Sequence, residues 1–185
     1  MSRTMTTYTT QNNLLLENLL RFYEKDNNLD KMLGIINGES KISLRIVDWF
    51  ATNYSKSNFT VYALSSGSRF KVYTDYRLKL RAYSKKRFDP FCRWERIVVP
   101  YKDNKSIQTT LGQLNFFKWA IENEVIKYIE DNYTSIEHDM NKRNSSSRRR
   151  TITSGPKTRK KREELSVSAT KSIKQENVEI VLKFD

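Results

Sequence analysis

Apolar residues change their spacing several times along the chain, and each change marks an expected element. After a polar start, Asn13 precedes LLLENLLRFYEK, where Leu15, Leu19 and Phe22 recur at helical spacing with Leu16, Leu20 and Tyr23 beside them. That is an amphipathic helix with a broad apolar face. A second helix is expected from about Leu29 to Ile36, closed by Asn37-Gly38, and a third after Ser40 with Leu44, Val47, Ala51 and Tyr54 on one stripe. From Asn58 the period falls to two. FTVYAL (59–64), the turn SSGS (65–68) and the run from Phe70 read as a hairpin. Between Phe70 and Ala82, alternation puts Phe70, Val72, Tyr76, Leu78 and Leu80 on one face, with Lys71, Arg77, Lys79 and Arg81 on the other. Tyr76, Leu80 and Tyr83 also fit a helix, but the alternation favours a strand as far as Leu80. Asp89-Pro90 then turns a corner, and Arg96–Val99 reads as a third strand ended by Pro100.

Thr110-Leu-Gly-Gln113 has the form of a capping box, in which hydroxyl and amide side chains satisfy free backbone N–H groups reciprocally. It opens a helix whose apolar face, Leu114, Phe117, Ile121, Val125, Tyr128, Ile136 and Met140, continues to about Met140. The following run, NKRNSSSRRRTITSGPKTRKKR, has Ile152 as its one apolar residue and cannot bury enough surface to fold. NVEIVLKFD at the end regains β-type hydrophobicity. The expected organisation is a disordered N-terminus (1–12), a single α+β domain (13–141), a disordered basic linker (142–175) and a β-prone C-terminal segment (176–185). Within the domain, N-terminal helices, one three-stranded antiparallel sheet and a long C-terminal helix would share a core of Leu15, Leu19, Val47, Phe50, Tyr76, Leu78, Leu80, Val98, Leu114, Phe117 and Ile121.

Charge changes the picture. The 185 residues carry +13, which suggests a polyanionic partner. Residues 142–162 hold ten Lys/Arg and no acid, and 163–185 are net −2, so only +5 is left for residues 1–141. Within that body the cations concentrate between Arg77 and Arg96: Arg77, Lys79, Arg81, Lys85, Lys86, Arg87, Arg93 and Arg96 stand against Asp89 and Glu95 alone. Tyr73, Tyr83, Phe91 and Trp94 are interleaved with them, Trp94 being expected in the core. Cations among aromatics hold phosphates and stack on bases, while a solvated sheet face guarded against edge pairing would have the same composition. In the tail, Arg148, Arg149 and Arg150 precede a second cluster of Arg159, Lys160, Lys161 and Arg162. The pair resembles a bipartite nuclear import signal, and the same residues suit a nucleic-acid backbone.

Catalysis has little support. His138 and Cys92 are the single histidine and cysteine, which excludes a His/Cys metal cluster and an intrachain disulfide and points to a reducing compartment. No Gly-rich phosphate loop, nucleophile elbow or HExxH is present. A metal-dependent nuclease built on Asp75, Asp89 and Glu95 remains the weaker alternative, since such sites need only carboxylates and a lysine. No cofactor is expected, nor a membrane partner, because no apolar run approaches the length of a span.

Three stretches, SLRIVDWFATNYSK (43–56), KLRAYSKKRFDPFCRWERI (79–97) and TTLGQLNFFKWAIENEVIKYI (109–129), resemble a small family of proteins of nucleocytoplasmic large DNA viruses. The resemblance implies a viral protein acting in the infected cell's nucleus or viral factory, or packaged in the particle. It supplies no catalytic residue. The leading expectation is a non-enzymatic protein that binds the phosphate backbone without base specificity, DNA ahead of RNA. It would use Arg77, Lys79, Arg81, Tyr83, Lys85, Lys86, Arg87, Arg93 and Arg96, with the two tail clusters adding reach. The alternative is a structural or scaffolding virion protein tethered to other virion proteins by its tail and terminal strand, with import receptors as further partners of the tail.

Overall fold

A computed structural model describes residues 11–102, 105–153 and 175–177, with side chains as far as Asn144. The fold is α+β, built from helices and small antiparallel sheets. Helix α1 (Gln11–Tyr23) and helix α2 (Asn28–Ile36) follow the expected periodicity. Asn27 takes a left-handed conformation (φ 52°) between them, and the buried Asn28 side chain donates to the Phe22 carbonyl at 3.1 Å. Helix α3 (Leu44–Trp49) is capped by Ser43, whose hydroxyl accepts from the Ile46 N–H, one turn later than Ser40 would have placed it. It passes through a π-helical turn (Phe50–Tyr54) into the short α4 (Ser55–Ser57). The Thr52 and Ser55 hydroxyls donate to carbonyls four residues back, the competition that bends and widens a helix.

The hairpin forms, but it is short. Strands β1 (Val61–Ala63) and β2 (Arg69–Lys71) pair with Tyr62 opposite Phe70, and Gly67 (φ 82°) supplies the turn. The long basic strand does not form. From Val72 to Arg87 the chain is helix α5. Leu, Lys, Arg and Ala, which make up residues 77–82, are strong helix formers, and none is among the β-branched or aromatic residues that strands favour. Tyr76, Leu80 and Tyr83 lie one turn apart and pack inward, whereas Leu78, which completed the apparent alternation, is 56% exposed.

The single three-stranded sheet is therefore replaced by two sheets. Strand β3 (Arg96–Pro100) pairs not with the hairpin but with β4 (Lys105–Thr110), whose far edge is met by β5 (Gln175–Asn177). Strand β4 escaped sequence reading because Ile107 is its one apolar residue. On β3 the buried residue is Val99, while Val98 is 66% exposed, the opposite face from that expected.

The expected long C-terminal helix is three helices: α6 (Leu111–Glu122), α7 (Val125–Asp131) and α8 (Tyr133–Thr153). Asn123 and Asn132 mark the breaks, each donating its side-chain amide to the carbonyl four residues earlier. Helix α8 continues past the boundary expected at 141. The remainder of the expected linker, and the terminal segment after Asn177, lie outside the described residues.

Helix α6 is the hub. Leu114, Phe116, Phe117, Trp119 and Ala120 are buried on it, and α1, α2, α5 and α7 pack around it. The buried Tyr23 hydroxyl of α1 donates to the Leu114 carbonyl at 2.6 Å. Trp119 is ringed by Phe70, Tyr76, Phe88 and Phe116, and its indole N–H donates to Asp75 at 2.7 Å, tying the first turn of α5 to the core.

Candidate functional site

The basic corner that follows α5 is held from beneath by the N-terminal turn of α6. Thr110 Oγ1 accepts from the Gln113 N–H at 3.1 Å, the first half of the expected capping box. The second half is diverted. Gln113 accepts from the Thr109 hydroxyl at 2.9 Å and donates to the Pro90 carbonyl at 2.9 Å. Asn115 donates to the Arg87 carbonyl at 2.8 Å, and the Asp89 N–H donates to the Gly112 carbonyl at 3.2 Å. A Cβ on Gly112 would lie 2.9 Å from the Lys86 carbonyl oxygen, so only glycine admits this approach. Because buried polar groups need partners, these bonds fix the backbone from Lys86 to Pro90 in one geometry.

A charged clamp closes the corner. Arg93 donates from Nε and Nη2 to Asp89 at 2.9 and 2.8 Å, and the nearly buried Asp89 also accepts from the Phe91 N–H at 3.1 Å. The hydrogen bonds to Asp89 hold the Arg93 guanidinium pKa above its usual value. Asp48 of α3 lies against the same cluster. Burial, and then the charge of Asp89, push its carboxyl up to about 6. Arg93 thus holds the corner together rather than standing free on its surface.

The other expected contact residues do not form one row. On a helix, Arg77 and Arg81 share an exposed face, while Lys79 and Tyr83 share another that turns toward α1 and α6. Lys85 and Lys86 are exposed beyond Ser84, whose φ of 58° and ψ of 170° break the helix, and Arg87 is half-buried. Among the described residues, Arg77, Lys79, Arg81, Lys85, Lys86 and Arg87 make no salt bridge, whereas Arg93, Lys102, Lys118 and Arg143 each do. Arg96 lies apart, exposed on β3 and donating to Gln108 at 3.3 Å. Arg148, Arg149 and Arg150 fall on the α8 backbone, and Arg159, Lys160, Lys161 and Arg162 lie outside the described residues.

Two concavities run along α1. The first, of about 510 Å³, is lined by Arg21 and Phe22 of α1, Lys25 just after it, Lys79 and Tyr83 of α5, and Lys118 of α6. Its one acid, Glu122, is paired with Lys118, whose ammonium also sits 5.0 Å from the centre of the Phe22 ring. The second, of about 580 Å³, is lined by Lys86, Arg87 and Trp94 with Leu16, Ile97 and Leu111, and Glu95 stands among them. Trp94, expected in the core, is 40% exposed, and the Lys86 ammonium lies 6.0 Å from its ring centre. Arg21, Lys25 and Lys118 were not foreseen. The polar residues Asn18 and Arg21 of α1, with Lys25 in the loop after it, are the available signal, but only folding brings them beside Lys79.

The carboxylates considered for metal chemistry are occupied or scattered. Asp75 accepts from Trp119, Asp89 from Arg93, and Glu95 is exposed. Among the described residues no group of three His, Cys, Asp or Glu side chains could hold a metal ion. His138 is exposed on α8 and Cys92 is buried after the corner, on separate segments. No helix among the described residues is long and apolar enough to cross a membrane.

Residues 1–183 match the model of a family of unknown function (DUF7197), and the chain belongs to that family. It is also similar to an uncharacterized protein of Acanthamoeba polyphaga mimivirus, with 47% identity over 117 residues that cover 59% of this chain and 45% of that protein. The chain therefore spans less than half the length of the curated relative it matches. No solved structure matches it. The resemblance to large-DNA-virus proteins read from the sequence is upheld by these matches.

Proposed function

With viral family membership as the premise, we propose that this is a non-enzymatic nucleic-acid-associated protein. It holds the phosphate backbone through α5 and the corner after it, without reading bases. The observation that carries this is the set of six cations between Arg77 and Arg87 that lack salt-bridge partners among the described residues. Cations concentrated on one helix and its corner, though on more than one face, repel one another, and a polyanion relieves that repulsion while releasing its own counterions. The corner's rigidity supports the same reading, because contacts made by a pre-fixed backbone lose less entropy on binding. Arg148–Arg150 and Arg159–Arg162 would add reach along DNA and serve nuclear import.

Titration of a labelled DNA duplex with the full chain at several salt concentrations tests the proposal. Affinity should fall steeply with salt. Reversing Lys85, Lys86 and Arg87 to Glu should weaken binding and flatten the log–log salt slope by roughly 0.9 for each phosphate that is no longer neutralised. An unchanged affinity and slope in that variant would remove α5 and the corner as the contact surface.

A further inference from the structure

We infer that the preferred ligand of this surface is single-stranded nucleic acid, with one base stacked on Trp94 and the adjoining phosphates held by Lys86, Arg87 and Lys79. This rests on the phosphate-binding reading and adds the strand state. Trp94 carries the step. It is a large aromatic ring 40% exposed, and among the described residues no other ring packs against it. Its described ring partner is the ammonium of Lys86, the arrangement in which a base can slide onto the indole while a phosphate takes the lysine. The concavity at Trp94, about 580 Å³, falls in the size range that encloses a small molecule. The neighbouring one, about 510 Å³, offers Tyr83 and Phe22 with four cations.

Leu16 lines one concavity and the adjacent Leu15 the other, so a strand following α1 would meet cations and half-exposed rings in turn. A duplex presents a convex backbone with its bases stacked inside, and can touch only the rims of such hollows. A single strand can send a base into each. Stacking is tolerant of base identity, so the absence of a sequence-reading helix is no obstacle.

Tryptophan fluorescence tests this directly. Trp94 is the most exposed of the three tryptophans, Trp119 being 3% exposed and Trp49 half-buried. Oligothymidylate added to the full chain should quench the emission, and Trp94→Phe should abolish most of the quench while binding within a few-fold of the native chain. Trp94→Ala should weaken oligothymidylate by about 5-fold or more, as removal of one stacking ring predicts. It should change binding of an equally long duplex by less than about 2-fold. If Trp94→Ala does not fold, protection of the native emission from acrylamide by oligothymidylate decides the matter. A duplex bound as tightly as the single strand, or an indole signal that oligothymidylate leaves unchanged, overturns the inference and leaves the phosphate-binding proposal standing. Binding of neither nucleic acid overturns both.

Discussion

Helices α5 and α6 pack against each other and divide the work of the domain between them. Of the sixteen residues of α5 only Val72 is buried, whereas eight of the twelve in α6 are. Helix α6 builds the core with Phe116, Phe117 and Trp119, and buries Gln113 and Asn115 as well. Those two amides reach out to the carbonyls of Pro90 and Arg87 and so fix the far end of α5. Helix α5 needs little burial of its own, because its first turn hangs on Trp119 through Asp75 and its end is pinned by α6. A helix held at both ends by its neighbour can give its sides to charge.

The largest expected effect tests that division. Phe116→Ala empties a fully buried site between Phe88 and Trp119 and should cost about 3–5 kcal/mol in a urea titration. Leu78→Ala, the corresponding apolar truncation on α5, should stay within about 0.5 kcal/mol. If Leu78→Ala costs as much as a core truncation, α5 is not a helix that displays its sides to solvent.

The same contrast explains what could be read from the sequence. Helix α6 was legible because its cap, Thr110 with Gln113, and its apolar residues agree on one period. Helix α5 was not, because its inward residues Tyr76 and Leu80 are four apart, which satisfies an even-numbered strand face as well as a helical one. The exposed Leu78 between them completed a false alternation. Val98 and Trp94 depart from expectation for a related reason: on a small sheet edge and at a corner, an apolar side chain need not be buried. The cationic residues of α5 stood out by composition alone. The concavity that Lys79 shares with Arg21, Lys25 and Lys118 did not, since α1, α5 and α6, distant in sequence, meet there only after folding.

A smaller effect concerns the charge beneath the corner. Asp48 is pushed up from an ordinary carboxylate value to about 6 by burial and by Asp89, so the folded state binds its proton more tightly than the unfolded state. A group raised in this way favours folding while protonated, and that advantage is lost as pH rises from about 4 through 6. Asp48→Asn, which cannot ionise, should match the native chain below pH 4 and exceed it by about 3 kcal/mol above pH 7, the size of a shift from 3.8 to about 6. Denaturation at both pH values checks the sign. A variant less stable at pH 7 would mean that ionised Asp48 holds Arg93 and Lys85 more strongly than its burial penalises it.

The smallest effect sits where the helix gives way to the corner. Ser84, at φ 58° and ψ 170°, occupies a backbone region that glycine visits readily and other residues at a cost of about 1–3 kcal/mol. Glycine there would relieve the strain but lose more entropy on folding, by roughly 0.5–1 kcal/mol. The balance favours Ser84→Gly by about 1 kcal/mol, read as a modest rise in melting temperature. The same variant probes the contact surface, because Ser84 separates the helical cations Arg77, Lys79 and Arg81 from Lys85, Lys86 and Arg87. If the break serves only to turn the chain, the Ser84→Gly variant should be more stable and bind DNA unchanged. If the strained serine fixes how the two sets of cations face one ligand, the gain in stability should come with weaker binding, and the strain is then part of the site.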